Sequence, residues 1–348
     1  MLILGIETSC DESAAAVVRD GRDVLSSVVA SQDKLHLPYG GVVPEIACRA
    51  HLHSMLPVLH RALADADVAM EQLGAVAVAN RPGLIGSLLI GLTTAKSIAW
   101  LHDLPIVGVN HIHAHAYAPA LEREDAVFPC VSLVASGGHT SLFHSRSPVD
   151  HELLGATRDD AAGEAFDKAA SILGLPYPGG PAIDRAARSG NPRAVRFKRT
   201  RFEGSLDFSF SGIKTAVLYH CRGQNAAEPR PPLSERDIAD TAAAFQEAMA
   251  HTLAERLFEA AGQLSAGRIA VGGGVAANSR LREILQQEAP GRGLDLVMPP
   301  MKYCVDNAAM VAGLGWHLYH AGMVDDLTLD ARPTVRPSPQ AAATRRKA

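Results

Sequence analysis

Charge is scarce in this chain, and no sign of charge prevails. Only 20% of the 348 residues are charged, and 33 Lys plus Arg against 37 Asp plus Glu give a formal net charge of −4. A protein coated in phosphate contacts is excluded, because nothing supplies a global basic excess. Aromatic residues are also few, at 5%, which fits a tightly packed cleft better than a broad stacking platform. No apolar run approaches the ~20 residues a membrane span needs. The first residues carry no basic segment, and Glu7 interrupts their apolar run; they are expected to form a strand, not a signal peptide. The five cysteines, Cys10, Cys48, Cys130, Cys221 and Cys304, are odd in number and contain no C-x-x-C pair. That pattern fits reduced thiols in a cytoplasm. Each reads most simply as a small buried residue, although Cys10 and Cys304 stand beside polar motifs.

What is present is apolar residue, 47% of the chain, enough for a sizeable core and too much for disorder. Its pattern occurs twice. Leu2–Glu7 is an apolar strand, followed by a polar turn at residues 8–13, a second apolar run at 14–19, an Asp20-Gly21 turn and a third at 24–30. Cys130–Ala135, the turn Ser136-Gly137-Gly138-His139-Thr140 and the run 141–145 repeat the opening. Strand–helix–strand units follow each copy, at 75–79, 84–102 and 106–109, then at 268–271, 278–288 and 294–298. The expected fold is α/β: two duplicated lobes around a nucleotide cleft. The lobes should span residues 1–124 and 125–332, with a last helix at 307–320 packing back on the first lobe and a mobile tail at 333–348.

Three glycine-rich turns, at 136–140, 179–181 and 272–274, lie where strands and helices end. Such turns let backbone N–H groups converge on an anion, though each also serves as an ordinary turn. Asn278 is equally suited to capping a helix. His111 and His115, spaced i, i+4, share one face of a helix and form a half-site for a divalent transition metal. Asp306 is the best third ligand, with helix capping as its plainer role. Glu164 and Lys168 have ion-pair spacing, which leaves Asp167 as the better ligand-binding residue. Asp11 and Glu12 suit either acid–base work or a solvated turn. Ser211 and Lys214 suit an anion or a helix cap. Arg193, Arg196, Lys198, Arg199 and Arg201 form the densest basic stretch outside the tail, either solvated or touching a phosphate backbone.

These motifs occur in an order that resembles one family. Ile6-Glu7-Thr8-Ser9-Cys10-Asp11-Glu12-Ser13, Gly40-Gly41-Val42-Val43-Pro44-Glu45, His111-x-x-x-His115, Ser136-Gly137-Gly138-His139-Thr140, Gly163-Glu164-Ala165-Phe166-Asp167-Lys168, Tyr177-Pro178-Gly179-Gly180-Pro181, Phe208-Ser209-Phe210-Ser211-Gly212, Gly272-Gly273-Gly274-Val275-Ala276-Ala277-Asn278 and Asp306-Asn307-Ala308-Ala309-Met310 are together similar to the bacterial tRNA threonylcarbamoyladenosine transferase family (TsaD, formerly Gcp or O-sialoglycoprotein endopeptidase). The likeness runs from residue 2 to about residue 333. It implies an actin-like, sugar-kinase-like (ASKHA, ribonuclease H-like) fold. It implies transfer of a threonylcarbamoyl group from threonylcarbamoyl-AMP to the exocyclic nitrogen of adenosine 37, in tRNAs that read codons beginning with adenine. It assigns His111, His115 and Asp306 to a metal, Fe(2+) first and Zn(2+) second. It assigns Val134, Ala135, Ser136, Gly137, Gly138, Asp167, Gly180, Asp184 and Asn278 to the adenylate, in a cleft where an adenine nucleotide should also fit. The tRNA anticodon loop, a TsaB-like paralogue and a TsaE-like ATPase are the implied partners, with no membrane. Asp11 is the candidate general base. Local basic contacts at 193–201 and Arg345-Arg346-Lys347 would then reach the tRNA.

Three positions depart from the family pattern. Arg81 stands for the first glycine of Gly-Pro-Gly-Leu, His113 and Ala114 occupy the middle of the His-x-Glu-Gly-His segment, and Lys198 interrupts Phe-Pro-Arg-Pro. None removes a ligand. A metalloprotease is disfavoured, because the one His-Glu pair, His151-Glu152, lacks the second histidine of H-E-x-x-H. A kinase of the same fold would not need the His pair, and neither would a nucleotide-responsive scaffold.

Overall fold

The computed structural model describes residues 1–223 and 233–333. All but the first residue of the expected tail at 333–348 therefore lies outside the described residues. Among the described residues, ten strands form two five-stranded sheets, ordered β3-β2-β1-β4-β5 and β10-β9-β6-β7-β8. In the first, β1 (Leu2–Glu7), β2 (Glu12–Arg19) and β3 (Asp23–Ser31) form an antiparallel meander, and β4 (Leu73–Arg81) and β5 (Ile106–Asn110) run parallel to β1. The second repeats this with β6 (Cys130–Ala135), β7 (Thr140–Ser147), β8 (Asp150–Ala156), β9 (Arg268–Gly272) and β10 (Asp295–Val297). The duplication therefore extends to strand order and direction. Strand β8 has no clear sequence signal, because Asp150, Glu152 and Leu153 are exposed and its only fully buried residue is Gly155. Arg81, expected in a loop, ends strand β4.

The helices are α1 (Asp33–His36), α2 (Pro44–Ala66), α3 (Ile85–Leu101), α4 (His111–Tyr117), α5 (Ala162–Ile172), α6 (Gly179–Ala187), α7 (Ser211–Arg222), α8 (Glu235–Gln263), α9 (Ser279–Glu288) and α10 (Ala308–His320). None of the described helices is long and apolar enough to cross a membrane. Period-two alternation sends the first sheet's side chains to two cores. Leu4, Ile6, Val17 and Val76 pack with Met55, Leu59 and Leu92 of α2 and α3. Ile3, Ala16, Ala77 and Val107 pack with Ala309, Met310 and Ala312 of α10. Burying each large aliphatic side chain contributes about 1.5–3 kcal/mol. The approach of α10 is close: a Cβ on Gly5 would overlap the Ala308 carbonyl oxygen. That contact sets the position of the residues just before α10.

Candidate metal centre and adenylate cleft

Strand β5 ends at Asn110, whose Oδ1 accepts from the N–H of Ile112 at 2.9 Å and so caps α4. The cap places His111 and His115 one turn apart at the strand's carboxyl end. Their rings lie 4.6 Å apart, edge to face. Asn307, not Asp306, caps α10, its Oδ1 accepting from Met310 N–H at 3.0 Å. Asp306 is left free to face the histidines. Its Oδ1 lies 2.9 Å from His115 Nε2 and 3.6 Å from His111 Nε2. One ligand atom from each residue falls within 4.8 Å of the others.

Glu7, in the otherwise apolar strand β1, is fully buried. Its Oε2 lies 2.9 Å from His111 Nδ1, and its Oε1 accepts from Ser9 N–H at 2.5 Å. A carboxylate on Nδ1 holds a proton there and turns Nε2 toward Asp306. Between that imidazole nitrogen and the carboxylate sits either a proton or, in its place, a bound metal ion. Burial depresses the His111 pKa, but the charges of Glu7 and Asp306 outweigh it and raise it to about 9. Burial would raise Asp306, yet His111 and His115 hold it well below the usual carboxylate range. The donor set of two imidazoles and one carboxylate fits a catalytic divalent transition metal, with positions left for substrate. Residues Asp11, Glu12 and Asp33 form a second acidic group.

The residues expected at the adenylate lie at the end of β6, in the turn after it, in α5 and α6, and at the start of α9. Val134 and Ala135 end β6, and Ser136 N–H donates to the His139 carbonyl at 2.8 Å. Gly137 and Gly138 face open space, as does Gly180. Asp167 accepts from Gly179 N–H at 2.7 Å, and burial raises its pKa to about 6 against that bond. Asp184 accepts from Ser279 N–H at 3.1 Å and Ser279 Oγ at 2.6 Å. Asn278 caps α9 through Leu281 N–H at 3.0 Å, and its Nδ2 donates to Gln246 Oε1 at 3.1 Å. Asp11 is buried, which raises its pKa, and the charge of Asp306 adds to the shift.

Several positions resolve between the alternatives left open for them. Glu164 and Lys168 do pair, at 2.7 Å. Ser211 and Lys214 are engaged internally: Ser211 Oγ donates to Asp159 at 2.7 Å, and Lys214 Nζ meets Asp160 at 2.6 Å. Gly272, expected at an anion loop, is explained by packing, since a Cβ there would overlap the His115 carbonyl oxygen. Sequence reasoning gave no role to Glu7, Gln246 or His139. The signal for Glu7 was a lone carboxylate inside an apolar strand. His139 is pushed down to about 4, first by burial and then by His111 and His115, so it is a neutral imidazole near the centre.

Comparison with known proteins gives the family. Residues 23–313 match the family described as tRNA N6-adenosine threonylcarbamoyltransferase, TsaD. A protein of that name from Symbiobacterium thermophilum is 51% identical over 332 residues, covering 95% of this chain and 96% of the relative. One from Geobacter sulfurreducens is 51% identical over 333 residues, with the same coverage. HypF from T. kodakarensis shares the fold at 16% identity and a TM-score of 0.59, over 92% of this chain and 48% of HypF. Component A of (R)-2-hydroxyglutaryl-CoA dehydratase from Acidaminococcus fermentans does so at 14% identity and a TM-score of 0.52, over 91% of this chain and 98% of that protein. The family match over residues 23–313 and the relatives at 51% identity lead to one conclusion: the chain belongs to the tRNA N6-adenosine threonylcarbamoyltransferase family, transferases that modify tRNA.

Proposed function

We propose that this chain transfers a threonylcarbamoyl group from threonylcarbamoyl-AMP to the exocyclic amine of adenosine 37, in tRNAs that read codons beginning with adenine. His111, His115 and Asp306 hold a divalent metal, with Fe(2+) favoured over Zn(2+). The observation that carries the reading is the convergence of both histidine Nε2 atoms on Asp306, backed by Glu7. Such a metal would polarise the carbamoyl carbonyl or grip the threonyl carboxylate as a Lewis acid.

The residues of the chain do the rest. The 134–138 turn presents backbone N–H groups to the adenylate, while Asp167, Gly180, Asp184 and Asn278 hold its nucleoside. The adenine nitrogen attacks the carbamoyl carbon, the carbon–oxygen bond to phosphate breaks, and AMP leaves with the electron pair. The nitrogen must lose a proton, and Asp11 is the proposed acceptor. A weak amine nucleophile makes orientation the larger contribution. The cleft lies between lobes 1–124 and 125–332. The anticodon loop, a TsaB-like paralogue and a TsaE-like ATPase complete the assembly, in the cytoplasm.

The test is to incubate the protein with those partners, threonylcarbamoyl-AMP and unmodified tRNA, and to measure modified adenosine by mass spectrometry. Product from the wild type, and a loss of at least 100-fold in a His111→Ala/His115→Ala variant, is expected. An inactive wild type, or an equally active variant, overturns the reading. A kinase or scaffold of this fold would be insensitive to that double substitution.

A further inference from the structure

The basic stretch singled out in the sequence forms one wall of a groove far from the metal ligands in the chain. Residues 192–201 run without regular structure beside α8 and enclose with it about 670 Å³. The segment is pinned by Phe197, which is buried in the core of the second sheet. Alternation about Phe197 sends Arg196 and Lys198 outward, and both are exposed. The opposite wall carries glutamates, but these are already used. Glu255 pairs with Arg199 at 2.7 Å, Glu259 with Arg201 at 3.1 Å and with Arg256 at 2.8 Å. Glu247 pairs with Arg280 at 2.6 Å. Arg196 and Lys198 have no acidic partner among the described residues. The groove thus holds surplus positive charge on a chain whose net charge is −4.

Its position gives that charge a direction. Gln246 of α8 accepts from Asn278, on the adenylate wall. The next residue, Glu247, lines the groove, which follows α8 from Ala244 to Glu259. Twelve residues of helix carry it about 18 Å from the cleft. A surface of this length, open and cationic, suits the repeating phosphates of one nucleic-acid strand.

We propose that this groove is a docking surface for the phosphate backbone of the tRNA, leading away from the adenylate cleft, with Arg196 and Lys198 as its phosphate contacts. The inference rests on the function proposed above. Phosphate contacts of this kind position a substrate without reading its sequence.

The test uses the full chain and an unmodified tRNA transcript, with Kd measured from about 50 to about 200 mM salt. An Arg196→Glu/Lys198→Glu variant is expected to bind tRNA at least 10-fold more weakly. Arg196→Ala/Lys198→Ala should lower the log–log salt slope by about 1.4–1.8, two phosphate contacts' worth. Binding of an adenylate analogue and the melting temperature should not change, and Arg196→Lys/Lys198→Arg should restore tRNA binding. Unchanged tRNA affinity and slope in both variants overturn the groove alone. If only association with an acidic protein partner is lost, the surface docks protein and the RNA assignment falls. A wild type that binds no tRNA overturns the underlying function as well.

Discussion

Glu7 shows how a side chain outside a ligand set can govern the chemistry of one within it. It fixes the His111 tautomer by accepting from Nδ1 at 2.9 Å. Supporting carboxylates of this kind typically alter metal affinity 10–100-fold. Glu7→Gln should therefore weaken metal binding by about that factor while leaving all three ligands in place. Anaerobic competition with a chelator reads this directly; an affinity equal to wild type contradicts it. The His111–His115 pair was legible in the sequence, because i, i+4 spacing follows from helix geometry. Glu7 was not, because nothing in sequence spacing links residue 7 to residue 111; only the pairing of β1, β4 and β5 does.

Among the elements, α4 is positioned from behind. A Cβ at Gly272 would overlap the His115 carbonyl oxygen, so Gly272→Ala must displace either strand β9 or α4. Overpacking of this kind costs about 1–3 kcal/mol. Reduced denaturation midpoint and weaker metal binding should appear together. Gly180→Ala, facing open space, should leave stability near wild type, which separates a packing glycine from a cleft glycine. The 272–274 turn was legible as a site element, but sequence could not reveal that its first glycine faces a carbonyl. Strand β8 was missed for a related reason: its partner is β7, and its own residues carry little apolar alternation.

The entry to α7 depends on charge. Asp159 accepts from Ser209 Oγ, Phe210 N–H, Ser211 N–H and Ser211 Oγ. Burial would raise its pKa, but these bonds outweigh burial and lower it. A lowered carboxyl pKa adds stability above the unfolded value of about 3.9 and loses it as pH falls through the folded value. The difference in melting temperature between wild type and Asp159→Asn should be largest near neutrality and shrink below about pH 4. A difference independent of pH would show that the carboxylate's charge is not what matters.

For the whole molecule, the proposed metal centre joins residues distant in the chain. His115 and Asp306 are 191 residues apart, and the first sheet and α10, which share one core with α4, must be in place for them to meet. A ligand that binds only the folded state stabilises it, by about 2.7 kcal/mol at 100 times its Kd. Metal should accordingly raise the melting temperature of wild type and raise it far less in Asp306→Ala. The duplicated architecture was legible from two apolar strand–turn–strand patterns. The convergence of His115 and Asp306 was not fixed by either pattern alone, since each belongs to a different copy.

That separation also orders events in time. During synthesis at roughly 5–20 residues per second, the histidine pair emerges roughly 10–40 s before its carboxylate. Until Asp306 arrives, the growing chain offers a metal only two imidazoles, a weak and exchangeable perch. Firm capture waits until α10 docks on β1 beside Gly5. An ion held by these three residues would thus be acquired late, as a seal on a chain already folded, and its presence in an isolated molecule would report that the final helix has reached its seat.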